Sequence, residues 1–256
     1  MFHIFNPNKL RFTKIEDIFK YSLLDLGMKE SSYQEAEYVF YIRSLGKYTS
    51  ILDSNKKNIL IQTEDWKVKP NSPKPGKYIS FKNEKNYVWG FDILNPYEEY
   101  MYLGYHPKLD ISKEKYEIFK NVGFLGSTKG RRSELHKFKK NKFESINDWD
   151  YLGAIRKMRE YKINIHIHSY QGTTFTPWDR IVKMTSNNMF FITEECYLPK
   201  ELDCVPMFNF ENYDDVIFKY LKSEKMRRDI SNQVYNIWKN KFDMRNFLER
   251  KIKEIK

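Results

Sequence analysis

Short apolar runs that break off into small or polar residues recur along this chain of 256 residues, and stretches of helical periodicity separate them. Phe2 to Phe5, Asn58 to Gln62 and Tyr87 to Phe91 are such runs in the first half; 121 to 125, 162 to 168 and 189 to 193 are their counterparts in the second. Ile15, Ile18, Phe19, Leu23 and Leu26 fall on one helical face, and 148 to 161 and 177 to 187 also read as helices, the latter opening with Pro177 and Asp179 in its first turn. Strands alternating with helices form parallel sheets, because a parallel crossover needs a helix's length to bring the chain back and its apolar face must be buried. The expected class is α/β with helix-flanked parallel sheets. Residues 212 to 255 add a helical C-terminal tail, with Val216, Ile217 and Leu221, then Ile230, Val234, Tyr235 and Trp238, spaced for one face each. The stretch 69 to 77, with three prolines and a glycine, reads as a loop.

A chain of this length can bury a core in each of two half-size lobes. Apolar residues make up 41% of it and Gly plus Pro only 19 positions, which excludes disordered and fibrous classes. No run of eighteen apolar residues occurs, so no transmembrane segment is expected, and Met1 to Lys14 lacks a signal peptide's apolar stretch. A cytoplasmic location is expected. Cys196 and Cys204 have no second pair to complete a zinc site or a disulfide framework and read as packing residues. Residues 121 to 256 hold 26 Lys/Arg against 18 Asp/Glu, a net of +8, whereas the first 120 residues carry only +3. That bias favours polyanions or phosphorylated ligands as partners.

The bias peaks beside Val-Gly-Phe-Leu-Gly-Ser-Thr-Lys-Gly-Arg-Arg, 122 to 132. A strand that ends at Gly126, Ser127 and Thr128 and runs into a helix presents backbone N–H groups to an anion, and Lys129, Arg131 and Arg132 add full charges. A diphosphate suits this arrangement. The Walker and dinucleotide glycine spacings are both absent, so standard NTPase and dinucleotide sites are not indicated. The same residues also suit an ordinary strand–turn–helix junction with solvated cations.

The order of segments resembles the GT-B glycosyltransferases, in particular their group 1 and spore-maturation-type branch. The pieces that carry the resemblance are Ile-Gln-Thr-Glu (61 to 64), Gly-Tyr-His-Pro (104 to 107), the 122 to 132 stretch, Ile-Asn-Ile-His-Ile-His (163 to 168), Trp-Asp-Arg-Ile (178 to 181) and Phe-Ile-Thr-Glu (191 to 194). The resemblance implies two Rossmann-like lobes: a reduced acceptor-side lobe over 1 to 110, and a nucleotide-sugar lobe with closing helices over 111 to 256. It implies transfer of a hexosyl-type sugar from a nucleoside-diphosphate sugar, a UDP-sugar by expectation, with no metal or other cofactor. The acceptor hydroxyl is left open between a glycan, a protein and modified DNA. Two departures stand out: Lys183 occupies the place of a Glu that many relatives direct at the ribose, and Asn187-Asn188 stands where a Gly is usual.

Several side chains could perform this chemistry. Fixed cations stabilise a departing diphosphate, and Arg180 ranks high because its fork matches phosphate oxygens; its alternative is an ion pair with Asp179 or Glu195. His166 and His168 share one face of their strand; His168 and Tyr170 are expected to line the donor site, and His166 to be a core histidine. Trp178 is expected beside the ligand, and Glu194 and Glu195 at the ribose. An inverting reaction would need a base, for which Glu64 and His106 are candidates. Two other functions share these residues: a glycosyltransferase acting on hydroxymethylated bases in DNA, and a non-catalytic nucleotide- or nucleic-acid-binding module, which Lys183 favours.

Overall fold

The computed structural model describes residues 1–5, 15–42, 55–62, 85–91, 99–128, 131–148, 150–168, 176 and 178–255. They divide into two compact units, Met1–His106 with Asp243–Lys256, and Pro107–Phe242.

The first unit is a five-stranded parallel sheet in the order β1 (Phe2–Phe5), β2 (Tyr38–Ile42), β3 (Lys57–Gln62), β4 (Asn86–Gly90) and β5 (Glu99–Tyr100). Val39, Tyr41, Leu60 and Val88 alternate inward to form one core cluster. Helix α1 (Ile15–Asp25) buries Ile15, Ile18, Phe19 and Leu23, the spacing of one helical face. The last helix, α7 (Met244–Glu254), also belongs to this unit and packs on α1. Its Phe247 ring meets Trp89 edge-on at 6.0 Å and Tyr102 at 5.1 Å, and Lys251 pairs with Glu99 at 2.9 Å. The units therefore break twice, after 106 and after 242, whereas the sequence divides the chain once, at 110. An amphipathic face shows that a helix covers a sheet but not which sheet it covers.

The second unit holds β6 (Lys120–Leu125), β7 (Glu144–Ile146), β8 (Tyr161–His166), β9 (Phe191–Glu194) and β10 (Met207–Phe208), all parallel, in the order β10-β9-β8-β6-β7. The helices α2 (Arg131–Phe138), α3 (Tyr151–Met158), α4 (Trp178–Thr185), α5 (Tyr213–Lys222) and α6 (Glu224–Lys241) accompany it. Val122 and Phe124 stand opposite Ile163 and Ile165 and form one core with Ile192, Phe208, Tyr213 and Ile217. Asp150 caps α3 by accepting from the Gly153 amide at 2.8 Å, which starts that helix at 151 rather than 148. Ser223 caps α6 by accepting from the Met226 amide, and Val234 and Trp238 are buried on that helix's inner face. Asn188 has φ +53° and so takes the left-handed turn that ends α4. Asn187 ties the same turn down, accepting from the Ile111 amide and donating to the Lys183 carbonyl. No described helix is long and apolar enough to cross a membrane.

The strand order fixes where a ligand can sit. From β6 the chain moves outward to β7, then crosses back so that β8 lies on the other side of β6 and β9 and β10 continue away. The order reverses between β6 and β8, and in open α/β sheets the crevice outside the carboxyl ends of such a strand pair receives ligands.

Candidate functional site

Leu125-Gly126 at the end of β6, Ile167-His168 after β8 and Glu194-Glu195 at the end of β9 come together at that reversal. Gly126 has φ +138°, a backbone conformation that side chains disfavour. A Cβ there would lie 3.1 Å from the Phe124 ring and 3.4 Å from the Arg180 Nη2, so only glycine lets ring and guanidinium close over the bend. The Gly126 amide donates to the Ile146 carbonyl at 3.0 Å and its carbonyl accepts from the Ser145 hydroxyl. That amide, expected to face an anion, is thus spent on the sheet. The Ser127 and Thr128 amides take no partner among the described residues.

Two arginines converge on this bend. Arg132, in the first turn of α2, is buried; its Nε donates to the Ile167 carbonyl and its Nη1 to the Ser127 carbonyl, both at 3.2 Å. Arg180, in the first turn of α4, donates through Nε to the Leu125 carbonyl at 2.9 Å, and its Nη1 lies 3.4 Å from His166 Nδ1. The guanidinium carbons sit 4.8 Å and 5.6 Å from the centroid of the same Phe124 ring. Bonds to strand-end carbonyls hold both cations in place, so no side-chain ordering remains to be done when an anion arrives. Arg180 pairs with neither Asp179 nor Glu195: the Asp179 carbonyl accepts from Lys183, and the Glu195 carboxylate accepts from Asn209 at 3.3 Å.

The histidines connect these groups. His166 is buried, with Nε2 3.4 Å from His168 Nδ1 and the rings nearly perpendicular at 4.9 Å. Burial, and then His168, Arg180 and Arg132, hold its pKa well below the ordinary histidine value, so the ring is neutral. The His168 amide donates to the buried Glu194 carboxylate at 2.8 Å, and its Nε2 lies 3.2 Å from the Glu195 carbonyl. His166 is therefore a buried histidine with both ring nitrogens partnered, as the sequence led one to expect, and one of those partners is Arg180.

Other expectations are corrected. The Trp178 side chain is fully enclosed and stacks on Trp238 at 5.5 Å, with Trp238 stacked in turn on Phe242 at 4.6 Å, so it is core and not a ligand platform. Lys183 turns back along its own helix to the Asp179 carbonyl and lies 5.0 Å over the Tyr151 ring; burial lowers its pKa to about 8. Glu194 is buried and accepts from the His168 amide, whereas Glu195 is exposed and accepts from Asn209 at 3.3 Å. His106, expected as a base, is buried in the first unit with Nε2 3.2 Å from Asp25 Oδ2, and Asp25 also pairs with Arg245. At 1% exposure the ring has no open edge for an acceptor hydroxyl. Arg131 opens α2, and its side chain lies outside the described residues, as do Glu64, Lys129 and Tyr170. Sequence reasoning missed Phe124 as the shared floor beneath two arginines; its position just before the glycine bend was the available signal.

With this geometry in place, comparison with solved structures is informative. Over 85% of its length the chain superposes on TarM with a TM-score of 0.54 at 10% identity, and it spans about half (54%) of TarM. An alpha1,3-fucosyltransferase matches with a TM-score of 0.54 at 14% identity over 90% of this chain and 80% of its own. An S. aureus TarM variant, solved in complex with Fondaparinux, alpha-GlcNAc-glycerol and UDP, matches with a TM-score of 0.52 at 10% identity over 85% of this chain and 55% of its own. No protein-family model matches the chain, and no curated protein does. The chain has the GT-B glycosyltransferase fold: two helix-flanked parallel sheets of Rossmann-like type.

Proposed function

We propose that the Pro107–Phe242 unit binds the diphosphate of a nucleoside-diphosphate sugar and that the chain transfers the sugar to an acceptor hydroxyl without a metal ion. The observation that carries this reading is the pair Arg132 and Arg180, fixed by strand-end carbonyls over Phe124 at the reversal point of the sheet. Breaking the glycosidic bond leaves negative charge on the distal phosphate. Two preset guanidiniums, the Ser127 and Thr128 amides and the first turn of α2 answer that charge as it develops. A UDP-sugar is the favoured donor, supported by the UDP bound in the S. aureus TarM complex and by the shared fold. Hexosyl transfer is the favoured subtype. The acceptor side is assigned to the 1 to 110 lobe, with a glycan, a protein or a hydroxymethylated DNA base as the acceptor class. Turning Lys183 back on its own helix supports turnover over the non-catalytic alternative, because the lysine then places no charge among the residues facing the diphosphate.

The test is a panel of UDP-, GDP-, ADP- and dTDP-sugars offered to the purified chain, followed by thermal shift and by nucleotide release. One donor is expected to raise the melting temperature and to be slowly hydrolysed or transferred. A panel in which none binds at millimolar concentration refutes the reading.

A further inference from the structure

A cavity of about 550 Å³, a ligand-sized volume, lies in the Pro107–Phe242 unit and is lined by four cations, Arg159, Lys162, Arg227 and Arg228. It opens at the amino edge of the sheet: Lys162 stands near the start of β8, Ile118 precedes β6 and Phe190 precedes β9. Arg132 and Arg180 lie at the other end of β8, about 15–20 Å away along six residues of strand.

Arg227 sets the character of the cavity. It is 9% exposed, and its Nη1 donates to the Tyr220 and Leu221 carbonyls in the last turn of α5. Its Nε and Nη2 take no partner among the described residues, and neither does the exposed Arg228 guanidinium. Lys162 has only a neutral partner, the Asn121 amide oxygen at 3.0 Å. Among the described residues the one acid in the lining is Glu224, which is exposed and attracts Arg227 without forming an ion pair. Both arginines also fall within the first five residues of α6, where the helix macrodipole disfavours cations. An almost buried charge that no carboxylate answers is costly to hold, and an anion supplies the missing partner. Arg159 forms a rigid wall, bonded to the Ile111, Ser112 and Glu114 carbonyls and lying 3.8 Å from the centroid of the Tyr116 ring. Tyr116 and Ile118 are half exposed at the rim and offer apolar surface beside the cations. We propose that this cavity binds a phosphate ester carried on a ring, a nucleotide or a sugar phosphate, with Arg227 and Arg228 gripping the phosphate and Tyr116 and Ile118 flanking the ring. The site is separate from the diphosphate site and does not depend on it.

Calorimetric titration of the purified chain at pH 7.5 with uridine monophosphate, glucose 6-phosphate and inorganic phosphate tests this. One of the two esters is expected to bind at least about tenfold more tightly than inorganic phosphate, and the tighter one identifies the source. Arg227→Gln and Arg228→Gln should each weaken that ester about tenfold, whereas Arg180→Ala should leave it within about twofold. The Arg228 side chain has no partner to lose, so Arg228→Gln should keep the native unfolding midpoint and decides the matter if Arg227→Gln, which gives up two bonds to α5, fails to fold. Inorganic phosphate binding as tightly as both esters overturns the proposal, as does an ester whose affinity follows Arg180→Ala and neither substitution on α6. Absence of binding by all three probes at millimolar concentration also overturns it and leaves the diphosphate reading to the donor panel.

Discussion

Replacing Arg180 with alanine tests the site most directly, because the structure separates what this side chain gives the fold from what it would give a ligand. For the fold, the substitution removes the bond to the Leu125 carbonyl and the approach to the Phe124 ring, and it leaves His166 Nδ1 without its donor. One hydrogen bond contributes about 1 kcal/mol net, and relief of repulsion with Arg132 offsets part of that loss. The expected destabilisation is about 1 kcal/mol, a fall in melting temperature of roughly 2–5 °C. For the ligand, a forked, charge-assisted contact to phosphate is worth about 1.5–3 kcal/mol, so donor affinity should drop roughly 10- to 150-fold. Titration calorimetry with the best donor measures the second quantity, and urea unfolding the first. Arg180→Lys keeps the charge but loses the fork, and should recover less than half of the lost binding energy. A correctly folded Arg180→Ala chain whose donor affinity stays within about twofold of native would refute the assignment.

Gly126→Ala should cost about 1–3 kcal/mol of stability, because its φ of +138° is strained for any residue with a Cβ, and donor affinity should fall with it as Phe124 and Arg180 are pushed apart; unfolding and calorimetry read the two effects. Lys183 releases its proton near 8 when folded but near 10.5 when unfolded, so between those values the unfolded chain binds more protons and stability rises with pH. Lys183→Met should remove that rise of roughly 2–3 kcal/mol in urea titrations at pH 8 and 10.5. The Cys196 thiol is pushed up to about 11 by burial, which leaves roughly one molecule in a thousand as thiolate at pH 8. Peptide-resolved labelling with a disulfide reagent should therefore be about a hundredfold slower in the native chain than after denaturation.

What the sequence disclosed was what adjacent residues decide. The alternation Ile-His-Ile-His over 165 to 168 sets both histidines on one face of β8, and the helix beginning at Trp178 brings Arg180 to the carboxyl edge of the sheet; both readings need only local periodicity. Gly126 was legible for a similar reason, as a small residue between an apolar strand and a run of cations. What stayed hidden depends on distant partners. Trp178 looks like a ligand platform until Trp238 stacks on it, and His106 looks like a base until the fold encloses its ring. β2 is as apolar as β3 but lacks flanking turn signals, and β7 and β10, of three and two residues, are too short for any period to register. The use of the Gly126 amide was equally out of reach, since its acceptor belongs to the neighbouring strand β7.

The double break in the chain also orders events during synthesis. Residues 107–242 are continuous, so that unit can acquire its complete core as soon as it clears the ribosome. The unit made first must wait: until residues 243–255 emerge, Trp89 and Tyr102 lack the Phe247 ring that covers them. Clipping the chain after 242 should consequently spare the arginine-bearing unit and leave the amino-terminal one prone to aggregation and chaperone capture.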